Sequence, residues 1–436
     1  MTSRMSVVLT VVGFAAASAV AQLPDPLGGE FRVNTYTTGG QYGPRVAHQP
    51  DGGFIVVWGS VGSSGDDTSG GSVQGQRYSS VGVPLGNEFQ VNTSTTDFQG
   101  GADIGTDAAG NFVVVWVSPH LSGNGNEDIF GQRFLANGSA VGDEFLINSY
   151  MTGRQESPAV AVAPGGEFVV AWNSDTTSHA EHRSGVVARR FESDATPMGS
   201  EFQVNTYTTE KQRFPVVAMD AEGDFLVVWE SDGSFGTDSG ITESKSVQGQ
   251  RFSAAGTLLG GEFQFNTYTT GNQYKPGVAM GTAGDFVVVW RSDELKGQRF
   301  GADGTPLGDE FAIRSYHPSG DNGNVAMTSA GAFVVVWDGN SSGSDTSISV
   351  QMRRFSADGM PVGEDFQVNT FTSGRQEFSA VSALPSGEIV VVWEGPYDDP
   401  SVTYRDGIWG QRFDEDLLFG TGMEFGDLSG WSFTIP

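Results

Sequence analysis

The sequence predicts an all-β fold: a seven-bladed β-propeller with four antiparallel strands per blade. Three recurring features predict it. Tryptophans end apolar runs such as FVVVW at Trp58, Trp116, Trp172, Trp229, Trp290, Trp337 and Trp393. A Glu-Phe pair, Asp-Phe in the last unit, recurs with its phenylalanine at 31, 89, 145, 202, 263, 311 and 366. GQRF or a variant recurs with its arginine at 77, 133, 190, 251, 299, 354 and 412. The tryptophan spacings are 58, 56, 57, 61, 47 and 56 residues, and all three anchors keep one phase. A period of this order built from several strands is the signature of a propeller.

Each unit reads as four strands, A to D, illustrated by the fourth. Strand A is Glu201–Thr206, B is Pro215–Met219, C is Asp224–Trp229 and D is Val247–Phe252. These runs are rich in Val, Phe and Thr, as strands prefer. Strand C is apolar almost throughout, which predicts burial on both faces between adjacent blades. Gly and Asp punctuate the short B–C and D–A turns, where positive φ is needed. The C–D connections are long and variable. The A–B segment carries TYTTG and often a proline, and is read as the crossover between blades. A blade is therefore B-C-D plus the A strand that follows. That phase leaves an A strand near Glu30–Tyr36 and a D strand near Ile408–Phe413 without sequential partners. Their pairing would close the ring and remove exposed sheet edges.

Residues 1–21 carry a single charge, Arg4, then an apolar run and Ala19-Val20-Ala21 before Gln22. This is the layout of a secretory signal peptide, too short to span a membrane. The predicted organisation is a signal peptide over 1–21, a propeller over 22–413 and a tail over 414–436. The predicted location is outside the cytoplasm: extracellular, periplasmic or at the cell surface.

Asp plus Glu number 52 against 23 Lys plus Arg, a formal charge of −29. Such a field repels phosphate backbones and anionic membranes. Nucleic-acid partners and membrane insertion are not expected, and the chain reads as a monomer. The absence of cysteine excludes disulfides, thiol catalysis and Cys-ligated metals.

The TPLG…EFQVNTYTTG…GDFVVVW…GQRF unit, over about residues 26–413, resembles repeats of large secreted or surface proteins of bacteria. More distantly, AEGDFLVVW resembles the FG-GAP repeat of integrin-α-like propellers. That resemblance implies a calcium loop before strand C. Asp107 and Asp220 keep its first acidic position, whereas the other five units do not. The tail from Met423 to Ser432 resembles a short FESGD-x-S-x-W segment of secreted bacterial proteins.

No residue pattern specifies catalysis. The Glu and Arg that recur in every blade are expected to form structural ion pairs, such as Arg77 with Glu88, across the D–A hairpin. The tryptophans are expected to pack between blades. His179 and His182 stand in a Ser/Thr-rich loop, and the remaining histidines are His48, His120 and His317. No cofactor is specified. Calcium on the C–D loops is the one metal considered, with Asp232 and Asp238 as its weak ligands.

The expected ligand face carries the variable C–D loops and the crossovers, since variable loops on a rigid scaffold are where binding usually resides. Its candidate residues are Asp66, Asp67, Asp128, Asp175, Asp232, Asp238, Asp345, Asp398 and Asp399, with Tyr207 and Tyr268 as stacking rings. The fifth C–D connection is short, Trp290 to Gly297, and should leave a notch. The function this predicts is a non-enzymatic scaffold binding a protein or glycan. A calcium-dependent adhesion module and a carbohydrate-active enzyme are the rivals. The enzyme would need a pair of carboxylates present in only one or two blades.

Overall fold

Why the three motifs recur becomes clear from where their side chains go. The structure is a computed structural model describing residues 26–63, 65–67, 70–119, 126–175, 184–208, 210–233, 245–314, 323–340, 348–396 and 406–414. It is all-β, with seven four-stranded antiparallel sheets arranged as a seven-bladed propeller. Blade 1 runs B Gln41–His48, C Phe54–Val61, D Gly71–Tyr78 and A Phe89–Gln90. Blades 2 to 6 repeat that order. Blade 7 takes Glu377–Ala383, Ile389–Pro396 and Asp406–Phe413 from the end of the chain and Phe31–Arg32 from its beginning. Phe31 pairs with Gly410 and Arg32 with Trp409, so the ring closes as its phase predicts. Residues 1–25, which include the predicted signal peptide, and those beyond Asp414 lie outside the described residues.

The core is seven layers, one between each pair of neighbouring blades. Each layer takes alternate residues from the C strands of two neighbouring blades, and all seven repeat tryptophans are 0–1% exposed. Four of them donate the indole N–H to a glutamine at or just before the start of strand B of the same blade, as Trp58 does to Gln41 at 2.8 Å. In blades 1 to 6 the first aromatic of strand C stacks on the last of strand D at 4.7–5.0 Å.

The Phe of the Glu-Phe pair explains the Gly of GQRF. Its ring lies where a Cβ on that glycine would stand: 2.6 Å for Phe89 at Gly75 and 2.7 Å for Phe31 at Gly410. Strand A is shorter than its sequence suggests, two residues in most blades. Beyond it, an asparagine side chain takes over the ladder. Asn92, Asn148, Asn205, Asn266 and Asn369 each accept a strand D amide at 2.7–2.9 Å.

The expected Arg–Glu pairs within a hairpin are not what forms, and this corrects the reading of both motifs. Each group instead crosses to a neighbouring blade. Arg77 Nη1 donates to Asn137 O at 2.6 Å and Arg133 Nη1 to Asp194 O at 3.0 Å, both in the next D–A turn. Glu88 accepts from Thr35 N at 2.7 Å and Thr35 Oγ1 at 2.8 Å, on the preceding crossover. Glu144, Glu201, Glu262 and Glu310, each in its own blade, likewise accept a backbone N–H of the preceding crossover, Glu262 and Glu310 with a threonine hydroxyl as well, and Glu30 accepts both across the ring closure. The physical reason is unmet backbone groups. Extended crossover amides and turn carbonyls lie outside any ladder, and a charged side chain from the next blade satisfies them.

Candidate functional site at the channel mouth

The repeat breaks at one end of strand B. The last residue of strand B, which pairs with the first residue of strand C, reads His48, Thr106, Val162, Met219, Met280, Met327 and Ala383 around the ring. Six of these seven, all but Met327, line a cavity of about 570 Å³ at the B–C-turn end of the central channel. The turns add Pro50, Asp107, Pro164, Asp220, Thr282 and Leu384 to its wall. Among the described residues, no Lys or Arg lines it. Its wall is therefore asymmetric, with thioethers and Val162 on one arc and His48, Thr106 and Ser382 on the other.

The rim is tied together between blades. Ala108 N donates to Pro164 O at 3.2 Å and Ala221 N to Thr282 O at 3.4 Å. Gln49 Nε2 donates to Gly110 O at 2.7 Å, and Ser329 Oγ to Pro385 O at 3.1 Å. A mouth held this way is formed before any ligand arrives, which reduces the ordering cost of binding.

His48 is 8% exposed. Its Nδ1 lies 2.9 Å from Ser382 Oγ, and its backbone N–H donates to the same oxygen at 3.3 Å. Thr106 Oγ1 donates to the His48 carbonyl at 2.7 Å. The Nε2 atom is buried and has no hydrogen-bond partner among the described residues. Burial, with the Arg412 charge second, pushes the imidazole down to about 3, so the ring is neutral. So weak a base does not draw a proton from Ser382 at neutral pH, and the pair serves hydrogen bonding.

Asp107 and Asp220 cap their own turns. Asp107 Oδ1 accepts Ala109 N and Asn111 N, both at 2.8 Å. Asp220 Oδ1 accepts Glu222 N at 3.1 Å and Asp224 N at 2.8 Å. Burial first, then the neighbouring Asp224 and Glu222 charges, raises the Asp220 carboxyl while those amides oppose the shift. Among the described residues, no three His, Asp or Glu converge as a metal-binding group.

At the opposite mouth, the residue after each tryptophan also varies: Gly59, Val117, Asn173, Glu230, Arg291, Asp338 and Glu394. Four of these hold a backbone bulge of the next strand B. Asn173 accepts Phe214 N at 2.8 Å, Glu230 Lys275 N at 3.3 Å, Asp338 Phe378 N at 2.6 Å and Glu394 Gly43 N at 3.3 Å. The bulges place Phe214, Lys275 and Phe378 at φ of 52–55°, a strained region for non-glycine residues. Glu230 also meets Lys245 Nζ at 2.5 Å and Arg213 at 3.4 Å. Burial pushes Asp338 up to about 6 and Glu394 up to about 7, the latter with help from Asp406, Glu377 and Asp338. Tyr42, beside Glu394, is pushed up to about 12, chiefly by burial.

The predicted ligand-face residues are scattered on this crossover side. Asp66 and Asp175 are exposed. Asp67, in its C–D loop, and Asp128, in strand D, are buried, accepting Asn92 Nδ2 at 3.1 Å and Asn148 Nδ2 at 2.7 Å from just beyond the outer strand. Asp232 is paired with Arg213 at 2.9 Å. Tyr207 is partly buried, and Tyr268 is 44% exposed with Lys296 Nζ 4.6 Å over its ring. Asp238, Asp345, Asp398 and Asp399 lie outside the described residues, as do His120, His179, His182 and His317. The fifth C–D connection is short: Phe286–Arg291 and Leu295–Phe300 are separated only by residues 292–294. Sequence reasoning missed the channel position. Its signal is a column of the repeat that changes type around the ring, polar at His48 and Thr106 and apolar from Val162 to Ala383.

No family model and no curated protein matches the chain. Solved structures do resemble it. A protein of unknown function from Dyadobacter fermentans is 12% identical with a TM-score of 0.51, over 72% of this chain and 93% of that one. An α-L-arabinofuranosidase from Fusarium graminearum is 13% identical with a TM-score of 0.50, over 77% and 98%. An intramolecular trans-sialidase from Ruminococcus gnavus is 11% identical with a TM-score of 0.46, over 88% and 98%. At such identities the likeness is one of fold. It defines the class, a seven-bladed propeller, and goes no further toward a particular protein. It does correct the expectation of a non-enzymatic scaffold: a glycosidase shares this fold at a TM-score of 0.50, so the architecture gives no ground for excluding catalysis.

Proposed function

We propose that the protein is a small-molecule-recognising propeller whose site is the B–C-turn mouth of its channel. The observation that supports this is the coincidence of a cavity of about 570 Å³ with the ring position that differs from blade to blade. Everything repeated sevenfold satisfies the scaffold, and an asymmetric wall offers a defined orientation to one ligand. The test is a fragment screen by thermal shift on the mature chain and on Met219→Trp, which fills the cavity. Hits lost in the variant support the reading, and hits indifferent to it refute it. Export with a mature start at Gln22 belongs to the same proposal.

A second reading, acid–base chemistry at the crossover mouth, is favoured by Asp338 and Glu394. They are carboxylates of two adjacent blades whose buried acids titrate near neutrality, as a general acid must. Turnover of aryl glycosides by the wild type and its loss in Glu394→Gln would support it. No turnover across an aryl-glycoside panel would dispose of it.

A further inference from the structure

We infer that the channel mouth takes a small organic cation, an ammonium carried on an apolar body, an inference that rests on the small-molecule reading above. The cavity wall pairs the apolar surfaces of Val162, Met219, Met280 and Leu384 with two carboxylates, Asp107 and Asp220, and among the described residues contains no Lys or Arg. Neither carboxylate has a salt-bridge partner among the described residues. Of the seven B–C turns, only those of blades 2 and 4 carry an acid at this position; the other five have Gln49, Ala163, Gly281, Thr328 and Leu384. The acids are therefore not demanded by the turn, which closes without them elsewhere. A concave, low-dielectric mouth on a molecule of charge −29 concentrates cations and repels anions. A bound ammonium would favour the ionised Asp220 carboxylate by its charge, against the burial that raises this carboxyl. His48 is a second, independent sign of a polar ligand. It lines the same cavity, is 8% exposed, and its Nε2 has no hydrogen-bond partner among the described residues. A buried polar atom left unpaired is costly, and a ligand's polar group can complete it.

The experiment compares three ligands that share one body and differ in charge. Cyclohexylmethylamine, cyclohexylmethanol and cyclohexanecarboxylate are titrated calorimetrically into the mature chain at neutral pH and low salt. The amine should bind about tenfold tighter than the alcohol, with the carboxylate weakest. Asp107→Asn with Asp220→Asn removes both charges but keeps a cap oxygen in each turn, so the fold should hold and circular dichroism checks it. That double variant should bring the amine to the level of the alcohol. Equal binding of amine and alcohol to the wild type overturns the inference, as does a preference that survives in the double variant or an amine that fails to bind at millimolar concentration. The reading of the site itself fails separately: Met219→Trp would then leave the binding of all three ligands unchanged.

Discussion

Glu30 accepts the Thr370 backbone N–H at 2.7 Å and its hydroxyl at 2.8 Å, across 340 residues of chain. Glu88 makes the same two contacts to Thr35 inside the ring. The seam therefore uses a bond that recurs between other neighbouring blades, as at Glu262 and Glu310, and closure needs no special device. Truncating either glutamate to Ala should lower stability by a similar amount, about 1 kcal/mol, since the amides involved are exposed. Deleting residues 22–40 should instead shift the whole urea transition, because blade 7 loses its outer strand. An unchanged midpoint after that deletion would mean the seam contributes nothing to stability.

Gly75 faces the Phe89 ring at 2.6 Å from where its Cβ would stand. Gly75→Ala should cost about 1–3 kcal/mol through overpacking. Phe89→Leu in the same chain should recover part of that loss. Chemical denaturation of the single and double variants checks the coupling; simple additivity would contradict it.

The pH dependence has two opposing contributions. Glu394 is raised from 4.5 to about 7, so the folded state holds a proton more readily than the unfolded chain. Its effect is to lower stability as pH rises between those values. Glu394→Gln should therefore raise the melting temperature at about pH 8 and leave it nearly unchanged at about pH 4. His48 is lowered from 6.5 to about 3, so as pH falls through that window the unfolded chain gains a proton that the folded state does not, and stability falls. His48→Phe should lessen the acid sensitivity between about pH 6 and pH 3. Melting curves of wild type and variants across pH decide both signs.

Exported protein should begin at Gln22, after Ala19-Val20-Ala21. Intact-mass analysis of the culture medium or periplasm reads this directly. Recovery of Met1-containing protein in a membrane fraction would contradict it.

The blade phase was legible because each of the three anchors has a packing role. Trp58 fills a layer, Phe89 needs Gly75, and Glu88 needs a neighbour. What was not legible is whom the charged groups meet. Arg77 and Glu88 are close in sequence, yet each meets an adjacent blade, since the groups left unsatisfied belong to turns and crossovers there. The same blindness hid the channel site. His48 and Ser382 are 334 residues apart and meet only because the ring closes. Attention to loop variability pointed instead to the C–D side, where Asp67 and Asp128 are occupied in holding asparagines.

The most direct test of the channel-mouth site uses the chain's own methionines. Of its 10, Met219 and Met280 line the cavity, whereas Met198 and Met360 are exposed on D–A turns. With carbon-13 in the methionine methyls, addition of cyclohexylmethylamine or cyclohexylmethanol should move the Met219 and Met280 signals, assigned by Leu substitution. Those of Met198 and Met360 should stay in place. Saturable shifts confined to methionines away from the channel, or no saturable shift at all, would contradict the account.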